Sequence, residues 1–147
     1  MRAAVLAFAI MLAACSSDED ESGEAPAFSL APQPIGYPDI EANDLHGPNC
    51  AYASGRSMAP VVIAFGDEAV MKLDGEIRRF TLDPQCREVR NGTGSRYLAD
   101  DRVLDLAVDG EETQAGAGAE TFDGTVRLAD VDGNVLYETT GAVQCGK

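Results

Sequence analysis

Two Asp-Gly dipeptides, each set between runs of alternating apolar and polar residues, constrain the fold of this chain more than any other feature. They are Asp74-Gly75 and Asp132-Gly133. The runs that flank them are 69–73 with 76–82, and 125–131 with 134–139. Asp-Gly between two such runs is the strongest short-range signal of a tight β-hairpin, because the turn needs two residues with positive φ. The chain is therefore predicted to contain two antiparallel hairpins.

The remainder of the chain from Cys50 onward also has the pattern of strands. Further apolar or alternating runs cover 60–65, 93–98, 102–108 and 141–145. About seven to eight short strands at this spacing predict an all-β domain, a small antiparallel barrel or a sandwich. The segment 109–120, rich in Gly, Ala and acidic residues, is predicted to be a flexible loop.

One short helix is compatible with residues 36–48, ahead of the strands. Tyr37, Ile40 and Leu45 are its apolar positions, and their spacing is an imperfect helical period. Pro38 suits a first helical turn, and Gly47 suits the end of the last one.

The N-terminus has the pattern of a secretory signal. Arg2 is followed by an apolar run over 3–11 and then by Leu12-Ala13-Ala14-Cys15, which resembles the lipobox of bacterial lipoproteins. The resemblance implies that residues 1–14 are a signal peptide, removed so that Cys15 becomes the first residue and carries lipid. The alternative is an uncleaved membrane helix, but the apolar run is too short to span a bilayer.

The segment after Cys15 is predicted to be a tether that lifts a domain off the membrane. Residues 15–35 are acidic at first and rich in proline later, a composition that buries too little surface to fold. A single domain is expected over 36–147. Ser16 beside the lipidated cysteine is compatible with export to the outer membrane in the lipoproteins that this chain resembles. We expect a lipid-anchored protein of the bacterial envelope, on the outer membrane, with its domain in the periplasm.

The charge of the chain restricts its partners. The formal charge is −14, and removal of residues 1–14 deletes Arg2 and no acid, which gives −15. Such a field repels nucleic acid and attracts cationic partners. The alternative is that excess acid only keeps a secreted protein soluble.

Three cysteines remain when Cys15 is lipidated, which permits one internal disulfide. Cys50 begins the predicted strands and Cys145 ends them, so we predict that they pair and that Cys86 stays free. The bridge closes a loop of about 95 residues, worth roughly 4–5 kcal/mol in the chain-entropy account. Cysteine ligation of a metal is the rival use, but the chain has no Cys-x-x-Cys pair and its only histidine is His46. Neither a metal nor another cofactor is predicted.

Patterns that would indicate an enzyme or a calcium site are weak. Residues 130–134 read Asp-Val-Asp-Gly-Asn, but alignment with a calcium-binding EF-hand loop puts Leu128 and Thr139 where acids are required. A hairpin turn explains this stretch better. No nucleophile elbow occurs, and His46 stands beside a Gly-Pro break. A non-catalytic protein is therefore expected.

A larger constellation resembles the membrane-bound inhibitors of c-type lysozyme. Leu73-Asp74-Gly75 lies in one hairpin and Gly92-Thr93-Gly94-Ser95-Arg96-Tyr97 follows it, all of this between two cysteines. The resemblance implies a lipoprotein with an eight-stranded antiparallel barrel whose end cysteines pair, and a loop that plugs the lysozyme cleft. That loop would be Thr93, Gly94, Ser95, Arg96 and Tyr97, with the Thr93 hydroxyl in the place of the family's serine.

One departure weakens this functional expectation. The family carries a Lys-Gly further along, and the matching residues here are Asp109-Gly110, so a cation is replaced by an anion. The alternative for the loop is that Gly94 is a turn glycine and Tyr97 a core aromatic. Two classes of function stay open: a binding module for a basic partner such as lysozyme, and a structural or accessory lipoprotein of the envelope.

Overall fold

The computed structural model describes residues 30–86, 88, 92–115 and 119–146 and contains one helix and eight strands. The elements are α1 Tyr37–Asn43, β1 Asn49–Ala53, β2 Pro60–Ala64, β3 Glu68–Leu73, β4 Glu76–Leu82, β5 Arg96–Ala99, β6 Arg102–Ala115, β7 Ala119–Asp130 and β8 Val135–Gly146. Each strand pairs antiparallel with the next, and β8 pairs with β1, which closes a barrel. The prediction of a small antiparallel all-β domain is confirmed.

The predicted hairpins are present. Asp74 and Gly75 join β3 to β4 with φ of 52° and 79°, the left-handed pair that a two-residue hairpin turn requires. Gly133 has φ of 91° in the turn between β7 and β8. In that turn the Asp130 carboxylate accepts hydrogen bonds from the backbone N–H groups of Asp132 and Asn134.

The loop predicted for 109–120 is wrong over most of its length. β6 continues to Ala115 and β7 begins at Ala119, so most of this segment belongs to a hairpin. An irregularity in register between Asp109 and Gln114 interrupts the ladder, which resumes with Gln114 opposite Thr121. Main-chain pairing with β7 keeps this part of β6 extended, and such pairing needs no alternation of apolar residues.

The barrel interior holds the main core. The inward side chains include large residues that are fully buried, namely Tyr52, Met71, Phe80, Tyr97, Leu104, Phe122 and Leu128. Burying a side chain of this size stabilises a fold by about 1.5–3 kcal/mol. Cys50 and Cys145 lie opposite each other on β1 and β8 and form a disulfide, as predicted. The bond joins the first strand to the last.

A second, smaller core lies on the outside of the barrel under α1. Ile35 and Leu45 pack against Ile63 and Val70, which point outward from β2 and β3. α1 falls within the predicted range and ends at Asn43. Asp44, which has φ of 55°, is its C-terminal cap, the role that the sequence predicted for Gly47. Within the described residues, no helix is both long and apolar enough to cross a bilayer.

Residues 30–35, which composition assigns to the tether, lie against the barrel. Leu30 contacts the main core, and its N–H donates to the carbonyl of Leu136. The N–H of Ile35 donates to the carbonyl of Pro60 at 2.8 Å. Residues 30–35 therefore pack with the barrel. The prolines do not prevent this, because a segment lying across a barrel needs few main-chain hydrogen bonds of its own.

Candidate functional site

The two ends of the barrel carry different connections. Because the strands alternate in direction, the β2–β3, β4–β5 and β6–β7 connections share one end, here called the upper end. The Cys50–Cys145 disulfide lies near it. The β3–β4, β5–β6 and β7–β8 turns share the lower end. Leu30, bonded to Leu136 at the start of β8, is also at the lower end.

The described residues at the end of the β4–β5 connection, 92–95, reach into the upper mouth of the barrel. Thr93 is wholly buried, and its hydroxyl donates to the sulfur of Cys50 at 3.8 Å. Cys50 is on β1, which is four strands from β5 in either direction around the ring. The segment just before β5 therefore reaches the opposite wall and closes the mouth.

The Tyr97 hydroxyl holds this segment in place through two hydrogen bonds. Its hydroxyl donates to the carbonyl of Phe65 at 2.6 Å and accepts from the N–H of Gly94 at 2.8 Å. Burial raises the pKa of the Tyr97 phenol, and the bond from Gly94 works against that rise. The hydroxyl thus ties three segments together at the upper end. The alternative that Tyr97 is a core aromatic matches its burial.

Ser95 is half-buried and Arg96 is exposed, so these two members of the predicted partner loop reach the surface. Arg96 Nε donates to Asp105 Oδ1 at 2.7 Å, and this bond raises the pKa of the guanidinium. Asp105 also lies 3.5 Å from Arg127, whose Nε is 3.8 Å from Glu138. Four alternating charges thus form a ladder across the outer faces of β5, β6, β7 and β8. Exposed pairs of this kind contribute only about 0–1 kcal/mol each.

A groove of about 500 Å³ lies beside this ladder, between the start of the β4–β5 connection and β6. Its lining is polar and consists of Asp83, Gln85, Cys86, Ser95, Arg96, Asp105 and Leu106. Cys86 forms no disulfide and is half-buried there, as the cysteine assignment predicts. The structure brings Ser95 and Arg96 together with Cys86, which the sequence had treated as an isolated residue.

Asp109, the residue at the family's lysine position, is exposed on β6. It lies directly opposite Asp123 of β7, which is also exposed. Like charges at opposed positions of a ladder repel each other. This part of the upper end is therefore anionic.

The stretch that resembles a calcium loop is a turn. The Asp130 carboxylate accepts hydrogen bonds from the side-chain amide of Asn134 and from the backbone N–H groups of Asp132 and Asn134. The bond from the Asn134 side chain is the main cause of the lowered pKa of Asp130. His46 is exposed, and its Nε2 lies 3.4 Å from Glu41. In the described part of the chain, His, Cys, Asp and Glu side chains form no group of three that could hold a metal ion.

Three of the sequence predictions fall wholly or partly outside the described residues: the signal peptide 1–14, the lipidation of Cys15 and the tether over residues 15–29. The predicted contact of Thr93, Gly94, Ser95, Arg96 and Tyr97 with a partner stays a prediction. Sequence analysis missed the ladder from Arg96 to Glu138. Its signal was the placement of opposite charges at outward positions of adjacent runs, and reading that signal requires the strand register.

Comparison of the chain with models of known protein families, with curated protein sequences and with solved structures found no match.

Proposed function

We propose that the protein is a lipid-anchored lipoprotein of the bacterial envelope whose barrel is a non-catalytic binding module for a basic protein. A c-type lysozyme is the candidate partner. The anchor is lipid on Cys15, on the outer membrane, and the domain faces the periplasm.

The observation that carries this proposal is the separation of the two ends of the barrel. The chain from Cys15 joins the domain at Leu30, beside Leu136 at the lower end. Fifteen residues of tether reach at most about 50 Å. The β4–β5 connection and the groove lie toward the opposite end. A lipid anchor would therefore leave these surfaces accessible to a partner on the side away from the membrane.

The architecture supports the comparison with lysozyme inhibitors at the level of the fold. The resemblance implies an eight-stranded barrel with paired end cysteines, and the structure has both. The formal charge of −14 also favours encounter with a cationic protein.

The burial of the loop restricts how it would meet a partner. Ser95 and Arg96 are the accessible members, whereas Thr93 and Tyr97 are wholly buried. First contact would therefore involve Ser95 and Arg96. A bond from Thr93 to a partner's carboxylate would require this segment to leave the mouth and give up its contact with Cys50.

The direct test is inhibition of hen egg-white lysozyme on a cell-wall substrate by the full-length protein in mild detergent, at low and moderate salt. We expect inhibition that weakens with salt, because exposed charges are screened beyond about 8 Å at physiological ionic strength. Thr93→Val should weaken binding by about 1–3 kcal/mol if the hydroxyl bonds a charged carboxylate. Asp109→Lys should strengthen inhibition, because it restores the cation that the resemblance implies for the cleft.

The outcomes separate the two classes of function. If Thr93→Val inhibits lysozyme as strongly as the parent does, lysozyme remains the partner but the Thr93 hydroxyl is not a contact with it. Absence of inhibition by both the parent and Asp109→Lys would favour the second candidate, an accessory lipoprotein. Capture of envelope components by the immobilised protein would then be the next experiment.

A further inference from the structure

β6 is much longer than the strand beside it. β5 has 4 residues and β6 has 14, and their pairing runs only from Ala99 opposite Arg102 to Arg96 opposite Asp105. One further bond follows, from the N–H of Leu106 to the carbonyl of Ser95 at 2.9 Å. β6 then continues to Ala115, and its other side pairs with β7 up to Asp109 and again at Gln114 and Ala115.

Residues 93 and 94, which precede Ser95, turn away from β6. Thr93 contacts Cys50 on the opposite wall, so these two residues enter the mouth and do not continue along β6. Among the residues that the structure describes, no strand pairs with β6 on the β5 side beyond Leu106. Within those residues, the upper part of β6 therefore has an unpaired edge on that side, here called the free edge of β6.

The direction of the free main-chain groups follows from the alternation of a strand. Successive residues of an antiparallel strand direct their N–H and C=O groups to opposite neighbours. Leu106 directs its N–H toward β5, so Val108 directs its N–H to the same open side, and the regular register of β6 with β7 extends to Asp109. Unpaired groups of this kind are a template for an added strand.

The surroundings of this edge favour a basic occupant. The polar groove opens where β5 ends and includes Asp83 and Asp105, and Asp109 lies exposed further along β6. Arg96 of β5 already lies opposite Asp105, so an added strand would begin beyond that position, and a side chain directly opposite Asp109 would share its outer face. Lysine or arginine at that position would meet the Asp109 carboxylate.

We infer that the free edge of β6 binds an extended basic segment of a partner protein, which adds to the sheet as a strand. A second copy of this chain fits less well, because pairing of two β6 edges would bring acidic strands together within proteins that each carry −14. The inference rests on the proposed function only in requiring a basic partner, and it does not require lysozyme.

The test uses an acetylated nonapeptide of alternating lysine and threonine as the probe, with the full-length protein in detergent. Hydrogen exchange is measured at single residues. Bound peptide should slow exchange at the N–H group of Val108 and leave Ala107 and Asp109, which are directed to β7, nearly unchanged. The control is the same peptide with alternate amides N-methylated, which keeps the charge and removes the donors. It should bind about tenfold or more weakly.

A pair of variants gives the same test from the protein side. Val108→Pro removes the N–H at the free edge, and Val108→Ala keeps it while making a similar loss of packing in the core. The peptide should bind Val108→Pro about tenfold more weakly than Val108→Ala. Thermal unfolding of both variants shows whether the fold is retained. If Val108→Pro does not fold, the comparison of the peptide with its N-methylated form on the parent protein tests the inference instead.

Three results would overturn the inference: no binding of the peptide, equal binding of its N-methylated form, or protection of the same amide by self-association without peptide. Failure of the proposed function is distinguishable. Asp109→Lys should weaken peptide binding by charge repulsion but strengthen lysozyme inhibition. Peptide binding without inhibition would thus keep the edge site and reject lysozyme as partner.

Discussion

The hydroxyl of Thr93 lies 3.8 Å from the sulfur of Cys50, on the wall of the barrel opposite the strand that Thr93 precedes. This contact places the predicted partner loop in the mouth of its own barrel. It also brings that loop to the Cys50–Cys145 disulfide, so the upper end of the barrel is closed by a covalent and a noncovalent link side by side.

Removal of the disulfide should destabilise the domain strongly. The bond joins residues 95 apart, and a loop of that size contributes roughly 4–5 kcal/mol in the chain-entropy account. We expect the double variant Cys50→Ala, Cys145→Ala to lose most of this free energy of unfolding in urea titration. Cys86→Ala, which removes a free thiol, is the control and should change it much less. Equal losses in the two proteins would contradict the structural role of the bond.

The two buried tyrosines should respond in opposite ways to loss of their hydroxyls. Tyr97→Phe leaves the carbonyl of Phe65 and the N–H of Gly94 without this partner and should lower the free energy of unfolding by about 1–3 kcal/mol. Within the described residues, the Tyr52 hydroxyl is buried and has no hydrogen-bond partner. Tyr52→Phe should leave stability unchanged or raise it by about 1 kcal/mol. Denaturant unfolding of both variants measures this, and equal destabilisation would contradict it.

Stability should fall in alkaline solution because of the same two residues. Burial, with a smaller contribution from Tyr97, raises the pKa of Tyr52, and burial also raises the pKa of Tyr97. A phenol whose pKa is higher in the folded state contributes stability below its unfolded pKa, near 10, and loses it as the pH rises. Urea unfolding between pH 8 and 11 should therefore show a plateau and then a decline. The decline should be smaller in the double variant Tyr52→Phe, Tyr97→Phe.

Local turn chemistry was predictable from the sequence, whereas contacts between distant segments were not. Asp74-Gly75 forms the predicted two-residue turn with positive φ at both positions, whereas at Asp132-Gly133 only Gly133 has positive φ and the connection is longer. The burial of Thr93 and Tyr97 depends on Cys50 and Phe65, which are 43 and 32 positions away. A sequence pattern around residue 95 contains no information about which wall the segment will touch.

The same reasoning explains the two boundary errors. Ile35 is part of a proline-rich stretch, and its burial comes from Ile63 and Val70 on the outside of the barrel. The extended upper half of β6 comes from pairing with β7, across a register irregularity that has no apolar signature. Composition predicts whether a segment could fold alone, and these segments are ordered by a surface that other residues provide.

Gly94 should tolerate no side chain. A Cβ at this position would overlap the Leu82 side chain and lie 2.6 Å from the Cys86 sulfur, so both neighbours would have to move. Gly94→Ala should destabilise the domain by about 1–3 kcal/mol through overpacking. Gly66→Ala is the matched control, because a Cβ there would lie 3.7 Å from the carbonyl oxygen of Gly92 and the φ of Gly66 is not positive. Thermal unfolding should separate the two variants, and equal melting temperatures would argue against close packing of Gly94 in the upper mouth.

Replacement of Cys15 by serine tests the anchor on which the proposed location depends. A hydroxyl cannot take the thioether-linked lipid of the lipoproteins that the Leu12-Ala13-Ala14-Cys15 stretch resembles. Each buried methylene of such a lipid contributes about 0.8 kcal/mol, and the formal charge of −14 disfavours binding to anionic headgroups in its place. Cys15→Ser should therefore leave the membrane fraction and retain an unprocessed signal, as seen by fractionation and mass spectrometry of the N-terminus. Cys86→Ser controls for loss of a thiol and should stay with the membrane. If Cys15→Ser fractionates as the parent does, the lipid anchor is wrong, whereas the barrel and the free edge of β6 are unaffected.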